Sequence, residues 1–265
     1  MRWARNGLVC GAALLALGAA ACGGTTGGNL IQIPFEAGGM ERDTTQPVTF
    51  PTVQAWTVTL TTAQIVLGPL YFNIDAPIPS VYRSGVVIMQ VPEQFIVDAL
   101  DPTLVPVPNG ADGETGNAVS AEVGFFTTAN GFNQTITLPA PLAADGQQGT
   151  AYIAGEATKG GVTIDFAGRI QITTALVTGL TPIDQVSRVA GALALLDFTK
   201  TSGTLQLRVD PTRWFDQVDF CHLAGDTCTP AAGTVYAWDD TNPFNTQVLS
   251  GMSGTVGVYN FSLVP

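Results

Sequence analysis

The sequence predicts an all-β protein, an antiparallel β-sandwich of about ten to thirteen short strands. Three observations point to it. Gly 30 and Pro 17 interrupt a chain of 265 residues too often for long helices. Apolar residues recur with period two over short runs, as in Trp56-Thr-Val-Thr-Leu60. Lys159-Gly160-Gly161 separates two β-rich runs, which is a tight-hairpin signal.

The elements follow in order. Residues 22–46 are rich in Gly, Thr and Gln and read as a flexible tether. From Val48 strands are expected: Trp56–Leu60, Ala63–Leu67, then Leu70–Ile74 beyond the Gly68-Pro69 break. Pro77 and Pro79 mark a loop, and Gly85–Val91 reads as a buried strand. Phe95–Leu100 fits a strand or a short helix, with strand preferred. Residues 101–117 hold three Pro and three Gly and read as a loop. Strands are expected at Val119–Thr128 and Gln134–Leu138, then as a hairpin of Thr150–Ala157 with Val162–Thr173. Val186–Phe198 reads as a strand, although its Ala-Leu repeats leave a helix open. Leu205–Val209, Thr234–Trp238 and Gly254–Leu263, with a bulge at Gly257, complete the series. One domain over 47–265 is expected, with a possible subdivision near 139–149.

The hydrophobic fraction of 46% supplies a core, while charged residues make up only 12%, about half the usual share. Lys+Arg 10 against Asp+Glu 21 gives a net charge of −11, which excludes a nucleic-acid partner because phosphate binding needs a basic face. The single histidine, His222, excludes His-His metal motifs. Neither a phosphate loop nor a dinucleotide fingerprint occurs, and no cofactor is expected.

The N-terminus reads as an address. Arg2 and Arg5 precede an uncharged run from Leu8 to Ala21 that is too short to span a bilayer, which takes about 20 residues. Ala19-Ala20-Ala21 before Cys22 resembles a bacterial lipobox, with Ala19 where Leu is usual. The resemblance implies that residues 1–21 are a signal peptide, that Cys22 becomes the acylated first residue, and that Gly23 after it directs the chain to the outer membrane. An ordinary cleaved signal with an incidental Cys22 is the alternative. Without Arg2 and Arg5 the mature chain has 8 cations against 21 anions, or −13, so acyl chains rather than charge would hold it to a membrane. Once Cys10 and Cys22 are set aside, Cys221 and Cys228 remain. In an exported chain they read as a disulfide, and the competing reading is a soft metal site with His222.

Several segments resemble a group of uncharacterised bacterial lipoproteins. They are Trp56-Thr-Val-Thr-Leu-Thr-Thr-Ala63, Leu67-Gly-Pro-Leu-Tyr-Phe72, Val97-Asp-Ala-Leu-Asp-Pro102, Asn117-Ala-Val-Ser-Ala121 and Val209-Asp-Pro-Thr-Arg-Trp-Phe-Asp-Gln-Val-Asp-Phe220. The resemblance implies a shared fold and assigns no activity. Cysteines that some members carry after the Gly-Pro-x-Tyr-Phe segment are missing here, so chemistry tied to them does not transfer.

Candidate chemistry is sparse. No Gly-x-Ser-x-Gly elbow accompanies His222, which argues against a nucleophilic triad. Carboxylate pairs at Asp216/Asp219, Asp239/Asp240 and Asp112/Glu114 could serve a hydrolase, and Asp112-Gly-Glu-Thr-Gly-Asn117 offers weak Ca²⁺ ligands; solvated turn acids are the preferred reading of them all. Trp214, Tyr236 and Trp238, with Trp56 and Tyr82, could stack on a sugar or fill the core. The sequence therefore favours a non-catalytic envelope lipoprotein of structural or binding role, joined to the membrane by its lipid, with an envelope protein or glycan as partner. A carbohydrate- or metal-binding protein is the alternative, and a carboxylate-pair hydrolase the third reading.

Overall fold

The computed structural model describes residues 28–76, 86–125, 138–144, 147–171, 188–199, 202–225, 227–254 and 256–265. The strands are β1 (Leu30–Gly39), β2 (Val48–Pro51), β3 (Thr57–Asn73), β4 (Val87–Val91), β5 (Phe95–Asp98), β6 (Val105–Glu114), β7 (Asn117–Phe125), β8 (Ala143–Ala144), β9 (Gln147–Gln148), β10 (Ala151–Lys159), β11 (Val162–Ile170), β12 (Arg188–Asp197), β13 (Thr204–Val209), β14 (Val235–Tyr236) and β15 (Tyr259–Val264). Two 3-10 turns, Pro211–Phe215 and Phe220–Leu223, and one helix, α1 (Pro243–Met252), complete the described residues. Cys22, Tyr82, the loop at Pro77 and Pro79 and the run from Gln134 to residue 137 lie outside them.

The expected mostly-β architecture is present. Thirteen strands join in one sheet, and β8 pairs with β9 apart from it. Pairing is mainly antiparallel, but β1 runs parallel to β13 and β11 parallel to β14, so the sheet is mixed, and it is not closed. Strands so far apart in sequence are not bound by hairpin geometry, which would force them antiparallel.

β3 is the spine. Its 17 residues use both edges: β2, β5 and β4 follow one another along one, β10 and β7 along the other. Val58 and Leu60 face the core, and so do Ala63, Ile65 and Leu67. Strict alternation would turn the second set outward, but the register against β10 slips at Thr61, and this bulge restores the inward phase. Between Ile65 and Leu67 the second edge passes from β10 to β7, and the β7 register slips across Gly68-Pro69. Gly68 has φ +113°, and a Cβ there would lie 2.1 Å from the Glu93 carbonyl oxygen.

Two long strands lie where the sequence reading has none. Residues 30–39, expected to be tether, form β1 between β6 and β13. Ile33, Phe35 and Ala37 alternate into the core, a pattern masked by the Gly- and Gln-rich surroundings. Residues 105–114, expected to be loop, form β6. Pro106 and Pro108 share one parity, so both missing N–H groups face the same edge, and β4 joins β6 only at Asp112 and Gly113.

The β10–β11 hairpin agrees with its sequence signal: Lys159 pairs with Val162 across Gly160-Gly161, both at positive φ. Helix α1 was not expected. Asn242 Oδ1 caps it by accepting from Phe244 N at 2.9 Å, Pro243 opens it, and Phe244, Val248 and Met252 bury one face. It packs with the 3-10 turns over β11, where Phe166, Phe215, Phe220 and Phe244 form an aromatic cluster with centroids 5.2–6.1 Å apart. The Leu67–Phe72 and Asp210–Phe220 segments therefore occupy the spine and this cluster.

Gly68→Ala should lower unfolding free energy by about 3 kcal/mol, because the left-handed φ and the clash act together. Gly160→Ala has φ +58° but nothing within 4 Å, and should cost about 1 kcal/mol. Urea unfolding of the two variants measures the difference.

Candidate functional site

Of the aromatic residues singled out in sequence, Trp56, Trp214, Tyr236 and Trp238 lie in or against the C-terminal lobe, the part formed by the two 3-10 turns, β14 and α1. Trp214 is 0% exposed, and its Nε1 is buried with no acceptor among the described residues. Trp56 is equally interior, against Phe220 at 5.3 Å and with Lys159 Nζ 5.5 Å from its ring. Trp238 is half-buried. One contact is Phe244 at 4.6 Å, and its ring covers Gly168, where a Cβ would come within 3.0 Å of it. The Tyr236 hydroxyl accepts a hydrogen bond from Ala231 N at 2.8 Å. Trp214 and Trp238 therefore spend their faces on packing. Tyr236 and Trp238 keep some exposure, whereas Trp214 is wholly interior.

Cys221 and Cys228 are joined as a disulfide. Each sulfur is thus bonded to the other, and neither thiolate is available to a metal. A loop of this length contributes about 2–3 kcal/mol by restricting the unfolded chain. His222 sits in the Phe220–Leu223 turn, and its carbonyl accepts from Asn242 Nδ2 at 3.3 Å, tying the bridged loop to the helix cap.

The acidic candidates are distributed over structural tasks. Asp112 and Glu114 sit two apart on β6, on one face of the strand. Asp112 accepts from Gln90 Nε2 at 3.1 Å, and Glu114 accepts from Gly28 N at 3.3 Å. The expected Ca²⁺ loop is therefore a strand end followed by the tight turn into β7. Asp216 lies 3.8 Å from Arg213 Nη1, and Asp219 caps its turn through Cys221 N at 3.1 Å. Asp239 accepts from Thr241 N at 2.9 Å and Thr241 Oγ1 at 2.6 Å, while its neighbour Asp240 is half-buried. Among the described residues no three His, Cys, Asp or Glu side chains converge as metal ligands.

The cavities lie elsewhere. Two clefts, of about 500 and 260 Å³, flank the loop between β1 and β2. Arg42 holds that loop: its Nε donates to Leu100 O at 2.7 Å and its Nη1 to Gln46 O at 2.7 Å. Thr45, Thr61, Asp98 and Asp101 line the larger cleft, and Asp43, Asp210 and Thr212 the smaller. The sequence signal for this end is the tripeptide Asp-x-Thr, which occurs five times, at Asp43, Asp101, Asp197, Asp210 and Asp239. In each copy the Asp Oδ1 accepts from the backbone N–H of the Thr two residues on. Three of the five meet at the Arg42 clefts.

Hydrogen bonds lower the pKa of three of these aspartates. The Thr45 hydroxyl and then its N–H hold Asp43 below the usual aspartate value, and the Thr241 hydroxyl and N–H do the same for Asp239. The Thr103 N–H and then its hydroxyl lower Asp101. A carboxyl depressed in the folded state contributes its stability fully above the unfolded value of 3.8 and loses it as pH falls through the folded value. Thermal midpoints should therefore fall as pH drops below about 4. Replacing Thr45, Thr103 and Thr241 together by Val should flatten that decline, and an unchanged slope would assign it to other groups.

No family model and no curated protein matches the chain. Among solved structures it is similar to MbnP from Methylosinus trichosporium, with a TM-score of 0.37 and 9% identity over 89% of this chain and 99% of that one. A likeness of that size carries no argument about fold or activity.

Proposed function

We propose that this chain is a lipid-anchored, non-catalytic protein of the bacterial cell envelope, acylated at Cys22 and held at the outer membrane, with a structural or binding role. The observation that carries the reading is the Cys221–Cys228 disulfide, because such a bond persists in exported proteins and the N-terminal run independently reads as an export signal. The segments resembling uncharacterised lipoproteins support the same assignment. In this reading the body is a β-sandwich in which β3 gives its two halves to different layers, which the exchange of partners between Ile65 and Leu67 supports. Metabolic labelling with a palmitate analogue should mark the mature protein and leave Cys22→Ser unmarked and released from membranes. An unlabelled wild-type chain would refute the anchor.

A second reading, a small-ligand binder, is favoured by the clefts beside Arg42. Their Thr, Asp and Gln lining offers hydrogen bonds of the kind that hold a hydroxyl-rich ligand such as a carbohydrate. A glycan array should then return a ligand whose binding Thr61→Trp abolishes by filling the larger cleft, and an array without signal would remove this reading.

A further inference from the structure

The chain leaves the fold at one defined place. Gly28 N donates to Glu114 Oε2 at 3.3 Å, Asn29 N donates to Thr115 Oγ1 at 2.9 Å, and Thr115 N returns a bond to Asn29 O at 2.8 Å. A Cβ on Gly28 would lie 2.4 Å from the Thr115 carbonyl oxygen, so the backbone lies flat on the β6–β7 turn. The path is fixed from Gly28 onward, six residues after Cys22.

The strand directions show what shares that end. Leu30, the first residue of β1, pairs with Glu114 at the end of β6. β4 starts there, since Met89 pairs with Gly113, and β3 finishes there, since Asn73 pairs with Val87. Ile74 N donates to Val86 O at 3.1 Å, which sets these two residues side by side. Four large apolar side chains are consequently grouped in the open: Leu30 at 85% exposure, Val86 at 44%, Ile74 at 38% and Val87 at 37%. Asp75 follows Ile74, Glu114 opposes Leu30, and Asp197 pairs with Asn117 at the same end.

We propose that this end rests on the surface of the lipid bilayer, with Leu30, Ile74, Val86 and Val87 in contact with it. The proposal rests on the lipid-anchor reading above and adds an orientation to it. Six residues at full extension reach about 20 Å. The ten residues of β1 span about 30 Å, so the opposite end, with Arg42, cannot be pressed flat on the membrane while Cys22 remains in it. Four apolar side chains alone would bind a bilayer weakly. A short tether raises their effective concentration at the surface enough for weak contacts to set the orientation. The three carboxylates make zwitterionic headgroups the better match, because anionic ones repel them. The Arg42 clefts then open away from the lipid.

Full-length protein purified from membranes is reconstituted into phosphatidylcholine vesicles after spin-labelling single variants Leu30→Cys, Val86→Cys, Thr44→Cys and Val105→Cys. The same variants on the soluble Cys22→Ser chain give the solution reference. Labels at 30 and 86 should collide several-fold less often with an aqueous nickel chelate on vesicles than in solution, labels at 44 and 105 equally often, and phosphatidylglycerol should weaken the protection. Equal collision rates at all four positions, with Cys22 acylated by mass spectrometry, would overturn the docking and leave the anchor standing. An unacylated Cys22 would overturn both.

Discussion

Everything in the sheet depends on β3 having both edges occupied along its whole length. A 17-residue strand with one free edge would expose a long row of unpaired amides, and its apolar run from Ile65 to Leu70 would face solvent. Five partners close those edges in sequence. They can do so because the strand changes phase at Thr61 and its register against β7 slips across Gly68, where no side chain fits beneath the Glu93 carbonyl oxygen. Backbone geometry at two positions thus decides which residues become core.

The C-terminal lobe is held by a different interaction. Its turns and helix make few ladder bonds with the sheet, so the stacked and edge-on rings of Phe166, Phe215, Phe220 and Phe244 carry the attachment, and the disulfide restrains the loop beside them. This explains why Trp214, one of the residues most suggestive of ligand binding in sequence, is spent internally. Trp214 and Phe215 are adjacent and both interior, because a tight 3-10 turn packed under α1 leaves neither facing solvent.

What was legible in the sequence was local. The Gly-Gly turn fixed the β10–β11 hairpin, alternation gave β13, and the pair Cys221 and Cys228 pointed to the bridge. β1 was hidden because its apolar positions lie among Gly, Gln and Pro, and β6 because prolines discourage a strand unless the partner on that side is missing. Helix α1 carried readable start signals in Asn242 and Pro243, but its Phe244, Val248 and Met252 stripe spans too few turns to stand out. The Arg42 clefts could not be found locally: they arise where residues near 42, 100 and 211 meet, which only the folded topology brings about.

The parallel pairing of β1 with β13 sets the order in which the molecule can be completed. Phe35 lies opposite Leu205, and β13 in turn needs β15, the final strand, to cover its other edge. β1 must therefore wait for strands far along the chain before both its edges are covered. Contacts so remote in sequence form slowly. The sheet is therefore completed late in folding, once segments from both ends of the described residues have met.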